Sequence, residues 1–562
     1  MIAPIAPEGT RFDAVVVGAG IAGLVAATDL ERRGHRVLVL EHNHQAGGLM
    51  SGMWRKGFYF DVGCQSFEDM GIVFPLLEQY GLSDLARFRR ARYRVVMPGL
   101  DANVESLPQI RDALQRAYPE AADGLGRVFA LHQRTSDLVR KLFAPGAPPY
   151  VRDERATSLV RWVGSALGVP ASNPGALLQR LRDLRTWMLD DFTAWYEREL
   201  PPSGVRDLLS RCGYTRMNVF VASAFWHLWA HDYWYPEGGL QRLFDAWVER
   251  LAARGVAFRF KSTVTALEKR RGRVTAVVTR QGARFEADEV VYTGDYRAAV
   301  HRLIGPEHFG RDELDRLERT RHSDALVSAY LGLDVPREEL RERLRTSHVF
   351  YFPSFGCRTA LSDDPAAHGR AFVEVTAHGV GDPTLAPPGR SAVVVQAFTR
   401  HDWQDGWRTG LSGDPAREQR PGPRPAAYRA LKRAVAGELA GILEGLLPGA
   451  RGRVVFSDVG APPSAVRFTH NAFGGTCGFE LNWRNFPFAN PLAHVQTPLD
   501  NLHLAGHFTV WPGAVPTAAL SGKIAALRAD EALRRSGRGR SRPAAQAPSG
   551  APAPSSTHGE AA

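Results

Sequence analysis

Apolar residues fall into short unbroken runs near both ends of the chain and into helical or alternating patterns between them. Residues 14–17 are all apolar and stop at Gly18, and 36–40 carry a second such run that stops at Glu41. Runs this short, bounded by glycine or an acid, predict strands buried on both faces of a parallel sheet. Residues 21–33 between them have helical spacing, and Gly34 ends that helix. The same reading predicts strands at 93–97, 258–260, 274–279, 285–292, 325–331, 348–352, 371–376, 392–398 and 502–505. Helices are predicted at 72–80, 110–118, 125–143, 177–199, 240–254 and 426–447. After about Arg534 the chain is rich in Ser, Pro, Ala, Gly and Arg, and residues 534–562 are expected to be a disordered tail.

Gly18, Gly20 and Gly23 spell G-x-G-x-x-G between the first strand and the first helix. The first glycine allows the tight turn, the second lets the backbone approach a pyrophosphate, and the third lets the helix pack on the strand. Free N–H groups at the start of the helix favour negative charge. Glu41, at the end of the second strand, is placed to accept from ribose hydroxyls and disfavours a 2′-phosphate, which argues against NADP. The unit is a nucleotide-binding strand–helix–strand.

A chain of 562 residues calls for two or three domains. With 44% hydrophobic and 23% charged residues, its composition is that of a globular protein. The net charge is +11, but the basic residues are mostly Arg and are spread along the chain, so no nucleic-acid partner is expected. Attraction to anionic lipid would suit a lipophilic substrate. Cys64, Cys212, Cys357 and Cys477 have no metal-ligand spacing, so neither a metal nor a disulfide framework is expected. Cys64, beside Gly63, reads more readily as a small buried residue than as a redox group. The first ten residues lack the basic and apolar parts of a secretory signal, and no run is long enough to span a bilayer. The expected location is cytoplasmic, at most peripheral on a membrane.

Residues 214–234 are unusually aromatic, with Phe220, Phe225, Trp226, Trp229, Tyr233 and Trp234. Core packing is one role for these rings, and the wall of a tunnel for a long apolar substrate is the other. His227, His231 and Asp232 lie among them. No third ligand accompanies them, so structural histidines are expected rather than a metal pair.

Further motifs carry a resemblance. Gly47-Gly48 follows Glu41, then comes Ser51, then Gly57-Phe58-Tyr59-Phe60-Asp61-Val62-Gly63. Later come Tyr235-Pro236-Glu237-Gly238-Gly239, the turn Ser262-Thr263-Val264, Gly474-Gly475 with Gly478-Phe479-Glu480, and Gly506-His507 running to Pro512-Gly513 and Pro516. Together they resemble the flavin-dependent amine oxidase superfamily, most of all bacterial phytoene desaturases, carotenoid isomerases and retinol saturases. The likeness covers the nucleotide segments and is weaker elsewhere. One departure is Leu49, where many amine oxidases carry Arg.

The resemblance implies non-covalent FAD on a discontinuous Rossmann-like α/β domain made of residues 12–70, 236–296 and 458–533. It further implies a helical cap at 71–235 and a mixed-sheet substrate domain at 297–457. The cofactor-binding residues it implies are Gly18, Gly20, Ile21, Ala22, Gly23, Glu41, Gly47, Gly48, Ser51, Val264, Gly506, Val515 and Pro516. The implied chemistry is hydride transfer between a hydrophobic isoprenoid or polyene and the flavin, with desaturation favoured. Double-bond isomerisation, saturation, a secondary-metabolite tailoring oxidase and an amine or amino-acid oxidase remain open. So does a flavin-free lipid binder similar to Rab GDP-dissociation inhibitors. No catalytic residue is assigned; His231, Asp232 and His470 are candidates, and oligomeric state is not read.

Overall fold

The two apolar runs become neighbouring parallel strands, Arg11–Val17 and Val37–Leu40, with Val16 opposite Val39. The structure is a computed structural model describing residues 9–152, 174–357, 365–414, 425–485, 496–510 and 513–537. Ala14, Val15, Val16 and the whole of Val37–Leu40 are buried, as strands covered on both faces must be. Arg284–Tyr292 pairs in parallel on the other side of Arg11–Val17, and Leu502–Leu504 pairs in parallel with Arg284–Tyr292. Ala257–Arg259 extends one edge, and the hairpin of Val264–Arg270 and Arg273–Thr279 extends the other. Three distant stretches of sequence therefore build one seven-stranded sheet.

The helix Ile21–Arg32 is covered by the C-terminal helix Val515–Arg535. Their backbones approach so closely that a Cβ on Gly522 would overlap the Ala22 carbonyl oxygen. Lys523, fully buried, donates to the Asp29 carboxylate at 2.5 Å and to Gln79 at 3.1 Å. A buried pair of this kind fixes register: removing one partner strands the other, at about 3–5 kcal/mol. A third helix, Leu240–Ala253, joins the layer through Trp247, whose indole N–H donates to Thr28 at 3.0 Å.

A second seven-stranded sheet runs in the order Val454–Gly460, Ala325–Leu333, Ser391–Thr399, Val373–Thr376, His348–Tyr351, Tyr93–Met97, Leu100–Asn103. Period-two alternation splits its faces. Val327, Val373, Val375, Val393 and Val395 pack under the helix Ala426–Ile442. Leu326, Phe350, Phe372 and Phe398 look the other way, toward a cavity. Helices Ala122–Leu142 and Val219–His231 pack together across that cavity.

Several boundaries differ from the sequence expectation. The helix expected over 177–199 is two, Pro174–Leu189 and Phe192–Glu199, because the Asp191 carboxylate caps the second through the Ala194 N–H. The region expected to be a helical cap contributes the hairpin Tyr93–Met97 and Leu100–Asn103, which joins the second sheet in parallel with His348–Tyr351. The second sheet's edge strand continues to Gly460, past the boundary expected at 458. The helix expected over 426–447 ends at Ile442 and tightens into a 3₁₀ turn, Leu443–Gly445. The C-terminal helix runs through Arg535, so the expected tail starts later, and residues 538–562 lie outside the described residues.

A buried carboxyl ties these parts together. Asp61 accepts from the hydroxyls of Tyr59 at 2.7 Å and Tyr235 at 2.6 Å, and from the Leu240 N–H at 3.3 Å. Burial pushes it up from 3.8 to about 7, against those three donors. A raised carboxyl contributes stability that is full below its unfolded value and is lost as pH rises through its folded value. The protein should therefore lose up to about 4 kcal/mol through this group between roughly pH 4 and pH 8. Asp61→Asn should flatten that part of the stability–pH curve in denaturant titrations, and an unchanged slope would contradict the assignment.

Candidate functional site

A cavity of about 410 Å³ opens at the carboxyl ends of the first sheet's strands and reaches the second sheet. Val17, Leu40 and Tyr292, the last residues of three strands, mark its first end. That is where open α/β sheets hold nucleotides. Thr293 is the hub. Its hydroxyl donates to the Val17 carbonyl at 2.9 Å. Gly18 (φ +107°) and Gly506 (φ +100°) both lie against Thr293, and a Cβ on Gly18 would overlap its hydroxyl. Left-handed backbone and this close approach make glycine the residue both positions accept.

The second Gly pair lies flat on the first loop. Gly20 and Gly47 form a parallel bridge, and the Gly47 N–H donates to the Ala19 carbonyl at 2.9 Å. A Cβ on Gly20 would meet only the Gly48 Cα, at 4.0 Å, so the two glycine backbones touch and form one floor free of side chains at the cavity. Neither the helix at Ile21 nor the helix at Val515 has a side-chain cap, and both begin at the cavity wall. The free N–H groups at Ile21 present a positive end to the cavity, and at the second helix the Val515 N–H is taken by the Glu68 carboxyl. Ala514, just before the second helix, sits at φ +60° and ψ +145°, a strained conformation for a residue with a Cβ.

Glu41 closes the far end. Its carboxylate accepts from Ala19 N–H at 2.7 Å and Asn43 N–H at 2.8 Å, beside His42 at 3.0 Å. Burial would push this carboxyl up, but His42 and the two N–H groups outweigh it and hold it below the ordinary value. It stays ionised, with lone pairs left for ribose hydroxyls. Val264 and Ser262 line the same end. All the residues expected to bind the cofactor line the cavity except Gly23, Ser51 and Pro516. Gly23 packs on the turn, where a Cβ would overlap the Gly18 carbonyl. The Ser51 hydroxyl donates to the Gly48 carbonyl at 2.8 Å and closes that loop, while Pro516 lies in the first turn of its helix. A glycine floor without side chains, an uncapped helix end at Ile21 and an ionised acid at the end of the second strand fit FAD.

The other end is an aromatic chamber. Phe225 stacks on Trp229 at 5.7 Å, Trp229 meets Phe350 edge-on at 4.7 Å, and Tyr214 meets Phe398 at 5.0 Å. Cys64 lines its wall, and burial pushes that thiol up, so it stays protonated. The three acid–base candidates are elsewhere. His470 stacks on His42 at 4.1 Å, at the nucleotide end. His231 is exposed, and Asp232 is taken up by the N–H groups of Met70 and Trp234 at 2.8 and 2.9 Å. Sequence reading missed Glu68, Gln396 and Glu374, which do line the cavity. Burial pushes the Glu68 carboxyl up to about 7 although it accepts from the Val515 N–H. Glu374, a lone charge inside an alternating apolar strand, was the visible signal.

Comparison with known proteins agrees with this geometry. The family described as flavin containing amine oxidoreductase matches residues 21–419. The chain belongs to that family and is a FAD-dependent oxidoreductase. It is 26% identical over 397 residues to carotenoid 3,4-desaturase of Haloarcula japonica, covering 68% of this chain and 75% of that one. It is 22% identical over 525 residues to all-trans-retinol 13,14-reductase of Danio rerio, covering 88% and 82%. Cyclohexylamine oxidase from Brevibacterium oxydans shares the fold, with a TM-score of 0.57 at 14% identity, covering 94% of this chain and 100% of that one.

The glycine floor at Gly20 and Gly48 yields a direct test. Gly20→Val places two methyl groups where the cofactor would pass, and should leave a folded protein that purifies with at least about tenfold less FAD. A variant that retains flavin like the parent would contradict this placement.

Proposed function

We propose that the protein desaturates a hydrophobic isoprenoid or polyene, with hydride passing from substrate to flavin. The observation that carries this reading is the continuity of the cavity: the wall that begins at Gly18 and Glu41 ends at Phe225, Trp229 and Phe398. An apolar chamber of this kind selects an extended apolar substrate. When bound, FAD supplies the two-electron acceptor. Gly18, Gly20, Ile21, Ala22 and Gly506 would hold its phosphates, with Gly23 seating the helix. Glu41 would hold the ribose and Val264 the adenine. Gly47 and Gly48, closed by Ser51, would run along the pyrophosphate. Val515 and Pro516 would begin the helix that faces the flavin ring. The aromatic rings exclude water and align the substrate. A basic surface would favour peripheral contact with anionic membranes, and no helix among the described residues is long and apolar enough to cross one.

Relatives support this reading through their substrates, since the Haloarcula protein desaturates a carotenoid and the Danio protein reduces a retinoid. The longer alignment with the reductase favours saturation as a second reading. Anaerobic mixing of the oxidised protein with a polyene panel and an amine panel separates the cases. Bleaching of the flavin by a polyene is the expected result. Bleaching by amines alone would overturn the proposal in favour of an amine oxidase, and a polyene that reoxidises the chemically reduced flavin without bleaching the oxidised form would reverse its direction.

A further inference from the structure

The face of the second sheet that looks into the cavity is mostly apolar, and a polar ledge crosses it. Ser328, Gln396 and Glu374 lie directly opposite one another on three adjacent strands. Gln396 donates to the Ser328 hydroxyl at 2.8 Å and to the Gly63 carbonyl at 3.3 Å, which ties the ledge to the segment bearing Cys64. Glu374 is the last member. One carboxylate oxygen accepts from His348 Nδ1 at 2.7 Å, and the other has no hydrogen bond among the described residues. Its side chain keeps 26% of its surface exposed on an interior strand, whereas His348 behind it is fully buried. His348 stacks on Tyr93 at 4.5 Å and holds the carboxylate outward.

Three carboxylates line the cavity among the described residues: Glu41, Glu68 and Glu374. Glu41 faces the nucleotide end, and Glu68 accepts from the N–H that opens the C-terminal helix. Glu374 stands in the chamber wall on the second sheet, with one oxygen that accepts no hydrogen bond among the described residues. A carboxyl oxygen left without a partner among aromatic rings needs a proton or a donor to offset its lost hydration.

We infer that Glu374 is the catalytic base of the chamber and His348 its positioning residue; this rests on the desaturase reading above. One substrate C–H bond breaks with its electron pair leaving as hydride to the oxidised flavin. A neighbouring C–H bond breaks, its pair forms the new C=C bond, and its proton goes to the open oxygen of Glu374. The substrate is oxidised by two electrons, the flavin is reduced by two, and one proton rests on the carboxyl.

The test uses the full FAD-loaded chain as wild type, Glu374→Gln, His348→Phe, His348→Asn and, for comparison, Glu68→Gln. Glu374→Gln should bleach with the polyene at least about 100-fold more slowly at unchanged FAD content and thermal midpoint. The titratable groups that interact with Glu374 are His348, Tyr93, Tyr233, Cys64 and Cys212, and Glu68 acts on the same Tyr93, Tyr233 and Cys64. Burial pushes the tyrosines and thiols up and keeps them protonated, so Glu68 is the competing acid. Glu68→Gln should retain the polyene bleaching that Glu374→Gln loses, and His348→Phe should slow it while His348→Asn, which keeps a side-chain donor to the carboxylate, restores it.

A second readout needs no turnover. A long-chain tertiary amine carries the positive charge that hydride loss creates, and its binding is compared by protein fluorescence with that of a hydrocarbon of equal length. Wild type should prefer the ammonium at least about tenfold, and Glu374→Gln should bind both alike. Unaltered bleaching in Glu374→Gln, or an ammonium preference that survives it, overturns the assignment. Absence of polyene bleaching in wild type together with a Glu374-dependent ammonium preference supports the chamber base and overturns the polyene reading instead.

Discussion

The nucleotide half of the molecule depends on how closely its first and last helices approach. Gly522 against the Ala22 carbonyl sets the distance, and the buried Lys523–Asp29 pair sets the register. Because these helices lie side by side, their N-termini open on the same cavity. One end points where phosphates are expected, the other where a flavin ring gains negative charge on reduction. A larger residue at 522 would separate the two ends, so this packing contact is also an electrostatic arrangement.

The second constraint is the alternation of a sheet. Val327, Val373, Val393 and their neighbours bury one face under a helix, which forces the intervening residues toward the chamber. Most are apolar or aromatic, and the Ser328–Gln396–Glu374 ledge, with His348 and Thr376 beside it, is polar. The chamber's chemistry is thereby fixed by strand register, and its shape by the helices that close it. Both halves meet along Gly63 and Cys64, where Gln396 reaches the first domain's backbone.

Local pattern made the nucleotide half legible. The runs at 14–17 and 36–40, the three glycines and Glu41 lie within a short stretch, and each has a steric or electrostatic reason to be what it is. Family resemblance placed the distant Gly506 segment, which no local rule would have joined to it. The chamber was less legible because its wall is assembled from long-range pairings. Tyr93–Met97 reads as an isolated strand, and only its pairing with His348–Tyr351 brings it to the second sheet. His231 and Asp232 drew attention by lying among aromatic residues, yet the helix turns His231 outward and Asp232 serves as a cap for backbone N–H groups. Glu374 was visible as a charge within an apolar strand, but its direction depends on register. Leu177–Glu199 misread as one helix because Asp191 caps as readily as it continues a polar face.

Glycine floor and aromatic chamber form one continuous cavity. The direct measurement is a flavin absorption-difference titration of the oxidised, FAD-loaded protein with a saturated isoprenoid hydrocarbon too inert to turn over. A continuous cavity predicts a saturable shift of the flavin bands that follows ligand occupancy measured by protein fluorescence. Saturable binding that leaves the flavin bands unmoved would place the hydrocarbon away from the cofactor and contradict the account.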